Sequence, residues 1–220
     1  SKEEVPVVEF KNVALTYSGA GDTSIANVSF KAYQGQTIGV IGGTGSGKSS
    51  LVGLIPRFYD ATEGEVLIDG VNVKDIKLSE LRDKVGIVMQ KDVFFKGSIR
   101  KNMQMAKQDA TDSEIDEALA IAQAKEFVDK KDGRLDYMVE QGGKNLSGGQ
   151  RQRLTIARAV VKKPDVLILD DSASALDFAT DAALRKSIRT MPNNPTVFIV
   201  SQRSASLMHA DKIIVLDDGN

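Results

Sequence analysis

An α/β fold with a mainly parallel sheet, a small antiparallel β subdomain at the N-terminus and an inserted helical subdomain is predicted by three features of the sequence. Buried-strand patterns alternate with helical patterns at both ends of the chain; a helical stretch interrupts that rhythm in the middle; and the first alternating runs are separated by turns, as in an antiparallel sheet. The 220 residues suffice to bury a real core. They read as one domain, 1–220: a core with its antiparallel sheet in 1–90 and 162–220, and a helical insertion in 91–161.

The elements follow in order. Val7 to Leu15 and Ile25 to Ala32 alternate as strands around a glycine-containing loop at Ser18 to Asp22. Gln36 to Ile41 is apolar enough for a buried strand, and Lys48 to Phe58 reads as a helix. Gly64 to Asp69 alternates again before a turn at Gly70, Ser79 to Lys84 is a short helix, and Val85 to Met89 is a buried strand. From Ile99 to Lys131 the pattern is helical, with Thr111 and Glu114 spaced as a capping box and Ile115, Leu119 and Ala122 on one face. A helix over Gln150 to Val161 is stopped by Pro164. Strand, helix, strand, helix and strand follow at Val166 to Asp170, Ala179 to Arg189, Thr196 to Val200, Ala205 to Ala210 and Lys212 to Leu216.

Composition removes several function classes. The chain has no cysteine and a single histidine, His209, so thiolate and multi-histidine metal sites are excluded. Lys plus Arg, 29, nearly equals Asp plus Glu, 30, leaving no global basic field to capture nucleic acid. Apolar runs such as Val166 to Leu169 and Val197 to Val200 are far shorter than the roughly 20 residues that cross a bilayer, and SKEEVP at the N-terminus is no signal peptide, so a soluble domain is expected.

Chemistry enters at Gly42 to Ser49, GGTGSGKS, placed between a buried strand and a helix. Gly42, Gly47, Lys48 and Ser49 satisfy the phosphate-loop spacing, in which backbone N–H groups converge on phosphates. Lys48 supplies charge to the β- and γ-phosphates, Ser49 a hydroxyl to Mg²⁺, and the helix N-terminus its partial positive charge. The partner element should be a buried strand ending in a carboxylate, which Val166 to Asp170 provides. Alone, Asp170 could be a turn-capping aspartate; beside the loop it reads as a ligand of the Mg²⁺ shell. A third feature, LSGGQ at Leu146 to Gln150, sets a serine hydroxyl and glycine N–H groups at a helix start, a second anion-binding nest remote from the first. One phosphate loop and one spare nest suggest two copies meeting head to tail, each nest covering the other's ATP.

GGTGSGKS, LSGGQ, VLILDD and SALD, in that order, resemble the nucleotide-binding domain of an ATP-binding-cassette (ABC) transporter over essentially the whole chain. The run from Gly64 to Asn102 and EQGGKNLSGGQRQR look most like exporters whose transmembrane helices precede this domain on one polypeptide. The resemblance implies a P-loop NTPase fold with a RecA-like core, ATP and Mg²⁺ as ligands, and ATPase activity coupled to transport. It implies a position at the cytoplasmic face of the cell membrane and, as partners, transmembrane domains and a second nucleotide-binding domain, with no nucleic acid. It makes Gly42, Gly43, Thr44, Gly45, Ser46, Gly47, Lys48, Ser49 and Ser50 the phosphate loop, and Tyr17 the aromatic stacked on adenine, although by itself Tyr17 could be a core or surface tyrosine. Ser49, Gln90 and Asp170 become the Mg²⁺ ligands, Gln90 also touching the attacking water. Ser147, Gly148, Gly149 and Gln150 would contact the partner's γ-phosphate, with Asp177 at the dimer interface. The helical lobe would dock on transmembrane loops.

Two positions depart from the family's pattern. Asp171 stands where a glutamate polarises the attacking water; its carboxylate falls short by roughly 1.5 Å, one covalent bond length. Misplacement by about 1 Å can cost roughly a hundredfold in rate. Gln202 stands where a switch histidine contacts the γ-phosphate, and an amide cannot become cationic. Intact binding elements beside two altered catalytic positions suggest a domain that binds ATP, turns it over slowly and forms one half of an asymmetric, multidrug-type heterodimer. A fully active homodimeric transporter ATPase is the alternative, and a soluble ATP-gated clamp on DNA or ribosomes a third, disfavoured by the lack of a coiled-coil insertion or second cassette.

Overall fold

Apolar alternation along 8–16 slips by one residue at Lys11–Asn12, and the chain accommodates the slip with a bulge. In the computed structural model, which describes residues 4–16, 24–43, 47–89, 94–170, 175–202 and 207–216, Val8 and Phe10 are buried before the slip and Val13 and Leu15 after it, along strand β1 (Val8–Thr16). Asn12 takes a positive φ of 50°, a conformation asparagine tolerates, and its N–H is held by Ser29 Oγ at 2.9 Å. The loop expected at Ser18 to Asp22 lies outside the described residues. Then come β2 (Ser24–Ala32), β3 (Thr37–Gly42), helix α1 (Lys48–Gly53), β4 (Glu63–Ile68), β5 (Val71–Asn72), α2 (Leu78–Asp83) and β6 (Val85–Val88). The middle holds β7 (Gly97–Ser98), α3 (Ile99–Gln104), α4 (Asp112–Ile121), α5 (Lys125–Asp129), β8 (Met138–Val139) and α6 (Gly148–Val160). β9 (Val166–Asp170), α7 (Phe178–Arg189), β10 (Thr196–Ser201) and β11 (Lys212–Leu216) complete the order.

Two compact units result. The first unites Ser1–Val85, Asp165–Ser172 and Pro195–Asn220; the second unites Gly86–Pro164 with Ala173–Asn194. The segment 91–161 expected as a helical insertion lies inside the second unit, which also takes in α7.

In the first unit β2, β1, β4 and β5 form the antiparallel side sheet, in that order. A parallel sheet runs β11, β3, β10, β9, and β6 ends its order at the strand where the chain leaves the unit. Every residue of β10 is buried, as a central parallel strand requires. Phe30 links the two sheets, its ring 4.5 Å from that of Phe10 and 6.0 Å from that of Phe198. At the N-terminal end of β3, Asp211 accepts from Thr37 N–H at 2.7 Å while Thr37 C=O accepts from Asp211 N–H at 2.8 Å, which fixes β11 in register. The helix expected over Lys48 to Phe58 is regular only to Gly53: Leu54 and Ile55 bond three residues back, Pro56 has no N–H, and Arg57 turns left-handed at φ 60°. Of the helix expected at Ala205 to Ala210, residues 207–210 form a single turn closed by Ala210 N–H to Leu207 C=O, and the rest lies outside the described residues.

The second unit divides the helical stretch at 99–131 into three helices. Ser98 caps α3, Thr111 and Glu114 form the expected capping box on α4, and Gln123 breaks away after α4 with φ 61°. Asn102, 2% exposed, satisfies its amide against the backbone of Phe95 and Ser98 and so fixes the segment that enters α3. Arg100 pairs with Asp112 and Asp136, which ties α3 to the start of α4 and to the turn before β8.

Two outcomes test these packing arguments. Gly64 has φ 76°, and a Cβ there would overlap the backbone oxygens of Lys11 and Asn12 at the bulge. Gly64→Ala should therefore lower unfolding free energy by about 2–4 kcal/mol, read from urea denaturation. Glu114, bonded first to Lys107 and then to the Thr111 N–H, has its carboxyl pKa lowered to about 2. A depressed carboxylate adds stability above its unfolded pKa of about 4.3 that is lost as pH falls toward 2. Glu114→Gln should flatten the fall of melting temperature across that window; an unchanged slope would assign the acid sensitivity elsewhere.

Candidate functional site

Parallel register sets one end of the sheet as the place where chemistry can gather. Val200 of β10 lies opposite Val40 of β3 and Asp170 of β9, and Ser201 lies opposite Ile41. The carboxyl ends of β3, β9 and β10 therefore present Gly42, Asp170 and Gln202 at one edge of the first unit, the usual ligand position in such sheets. Between β3 and α1 the chain passes through Gly47, left-handed at φ 90°, the start of α1. A side chain there would be strained, which is why this position of the loop is glycine.

Lys48 is 8% exposed, and its ammonium group curls back over the loop, donating to Gly42 C=O at 2.5 Å and Gly43 C=O at 3.0 Å. Burial lowers its pKa, and the charge of Asp170 opposes that shift. The cation is thus partly desolvated, within electrostatic reach of a carboxylate, and held by two neutral acceptors. A Cβ built on Gly43 meets nothing within 4 Å among the described residues, so there is room beside one of the two carbonyls that hold the lysine. Ser49 is exposed and Ser50 half-buried on the first turn of α1. A cation, a hydroxyl and a carboxylate at this edge could hold a magnesium-bound polyphosphate, Lys48 at the phosphates and Ser49 and Asp170 at the metal.

The sequence-predicted residues divide three ways. Gly42, Gly43, Gly47, Lys48, Ser49, Ser50 and Asp170 are gathered at this edge, with Gln202 exposed just beyond β10. Tyr17, Thr44, Gly45, Ser46, Gln90 and Asp171 lie outside the described residues. Ser147, Gly148, Gly149, Gln150 and Asp177 form a separate surface in the second unit.

At that surface the expected nest has a more specific construction. Ser147 Oγ accepts from Gln150 N–H at 3.1 Å, and Gln150 Oε1 accepts from Ser147 N–H at 3.1 Å, a reciprocal capping box that starts α6. The box leaves the N–H groups of Gly148 and Gly149 at the helix start. The basic residues after them face inward: Arg151 donates to Leu146 C=O at 3.1 Å, and Arg153 donates to Gly149 C=O at 3.2 Å and Gln123 C=O at 3.1 Å. Asp177 caps α7 by accepting from Thr180 N–H at 2.7 Å, the main cause of its lowered pKa, with the Arg153 charge contributing. Sequence reading missed Gln152, whose Oε1 accepts from Ala175 N–H at 2.7 Å and fastens the segment before α7 to α6. Its only signal was position: Gln152 lies one turn after Gly148, on the face that Ala175 covers.

Known proteins share this organisation. The ABC transporter family model matches residues 25–174. The ATP-dependent lipid A-core flippase of Haemophilus influenzae is 40% identical over 213 residues, covering 96% of this chain and 36% of the flippase. The β-(1→2)glucan export ATP-binding/permease protein NdvA of Rhodopseudomonas palustris is 41% identical over 213 residues, covering 97% and 35% respectively. A solved bacterial Atm1-family ABC exporter with ATP bound aligns with a TM-score of 0.89 at 33% identity, over 98% of this chain and 37% of that one. The chain spans little more than a third of the length of these relatives. With the phosphate loop, the carboxylate-ended strand and the capped signature helix in the family's order, the chain belongs to the ABC transporter family as an ATP-binding domain.

Proposed function

We propose that this domain closes head to tail with a second, non-identical nucleotide-binding domain around Mg·ATP and so drives export by transmembrane domains on the same full-length polypeptide, at the cytoplasmic face of the membrane. The observation that carries the nucleotide half is Lys48, partly buried, charge-coupled to Asp170 and resting on the Gly42 and Gly43 carbonyls. Exchanging two neutral carbonyls for phosphate oxygens gives the ammonium charged acceptors in place of neutral ones. Ser49 and Asp170 would hold the magnesium ion, which neutralises phosphate charge when bound. The capping box at Ser147 and Gln150 pre-sets the N–H groups of Gly148 and Gly149 for an anion brought by another molecule. That the relatives named above are called exporters or flippases supports a transport role.

In this reading the domain's own site is slow. Asp171 is too short to polarise the attacking water from the glutamate position, and Gln202 cannot supply the charge a histidine would. The domain then serves its partner: an intact signature completes the partner's site, while its own loop holds ATP and keeps the pair together.

Two measurements test this. Lys48→Ala in the full-length protein should weaken binding of a fluorescent ATP analogue about 10- to 100-fold, the worth of a charged hydrogen bond; unchanged affinity would remove Lys48 from the site. Full-length protein without its partner subunit should show low steady-state ATPase activity, and Asp171→Glu with Gln202→His, measured in the complex with that subunit, should raise turnover at the Lys48 site at least about tenfold. Vigorous turnover in the unaltered protein would instead support the homodimeric ATPase.

A further inference from the structure

Phe178 is 91% exposed, more than any other large apolar side chain among the described residues. A single exposed phenylalanine is ordinary. What distinguishes this one is how it is held. It is the first residue of α7, and the preceding Asp177 fixes that helix start by accepting from Thr180 N–H at 2.7 Å and Thr180 Oγ1 at 3.1 Å. The helix turns Leu184 and Ile188 inward and leaves Phe178 off that stripe. Close to it in sequence, Ala175, Ala179 and Ala182 are small and exposed. The nearby charges Asp181 and Arg185 are paired with each other at 2.9 Å.

The same segment is fixed to the signature helix. Gln152 holds Ala175 N–H, and the segment lies within van der Waals reach of Gly148 and Gly149 on the first turn of α6. Cβ atoms built there would touch Ala175 at 3.5 and 3.4 Å. Ser147 to Gln150 and Ala175 to Phe178 are therefore one surface of the second unit. Phe178 follows within three residues of the point where this segment touches the signature helix.

We infer that Phe178 is an anchor for the partner nucleotide-binding domain: the ring leaves water against that domain when ATP brings the two together. The inference rests on the head-to-tail reading above and adds to it a residue that touches neither nucleotide nor metal. Continuity with the nest selects this occupant, because the nest is the part of the surface built for another molecule's anion. Aromatic side chains suit the task, since they bring large apolar area with only two torsions to fix.

The test uses the full-length transporter with its partner subunit. Hydroxyl-radical footprinting should show Phe178 oxidised freely without nucleotide and protected several-fold with Mg·ATP under non-hydrolysing conditions. Phe178→Ala should leave ATP binding to the Lys48 loop unchanged and raise the ATP concentration for half-maximal closure, read by a distance probe between the two domains, about tenfold or more. Phe178→Leu should recover most of that loss. Normal closure of Phe178→Ala, or protection already complete without ATP, overturns the anchor role and leaves the dimer reading standing. Failure of the unaltered transporter to close with ATP overturns both.

Discussion

A partly buried ammonium group without a counterion in hydrogen-bond contact among the described residues is the constraint around which the first unit is arranged. Lys48 rests on two backbone carbonyls, neutral acceptors that take two of its three N–H donors and do not offset its charge. The loop can hold it there because Gly47 takes a left-handed conformation and α1 begins immediately after. The sheet can place Asp170 within electrostatic reach because β9 is in parallel register with β10, and β10 with β3. The central strand is buried from end to end, and the aromatic contact through Phe30 seats the antiparallel sheet on it. The site is thus a property of strand register first and of side-chain chemistry second.

The second unit solves a different problem, the exact start of helices. Three of its helices begin at Ser98, Thr111 and Ser147, each a hydroxyl that accepts from the N–H three residues on; the second and third are full capping boxes. For α6 this device has a functional consequence. The serine and glutamine of LSGGQ hold each other, so the motif is a preorganised helix end and its side chains are not loose donors. Arg151 and Arg153, which by composition alone give the helix a basic start, are occupied with carbonyls of their own unit.

Much of this was legible in the residues because the signals were local. Period-two alternation marked the strands, Thr111 with Glu114 marked a cap, and the phosphate loop announced itself by spacing. The bulge at Asn12 was less visible, since two adjacent polar residues read as a minor lapse in alternation until the partner strands are aligned. The break of 99–131 into three helices was hidden for a related reason: Gln123 in a left-handed conformation has no strong sequence signature, unlike a glycine. The width of the second unit was not legible at all, because α7 joins it through contacts with residues far away in sequence, such as Gln123 with Ser187. Gln152 was missed because its partner, Ala175, offers only a backbone N–H, which any residue has.

The order in which the two units draw on the chain has a consequence for biosynthesis. The second unit is complete once Asn194 has been made, whereas β3 gains its neighbours β10 and β11 only from the residues that follow. On the ribosome the helical unit has all its parts first, while the apolar strand leading to the phosphate loop waits unpaired. A nascent chain therefore passes through a stage in which every residue of the helical unit has been made and the strands that flank β3 have not. Chaperone demand during synthesis should fall on 37–42, the strand that is made early and paired late.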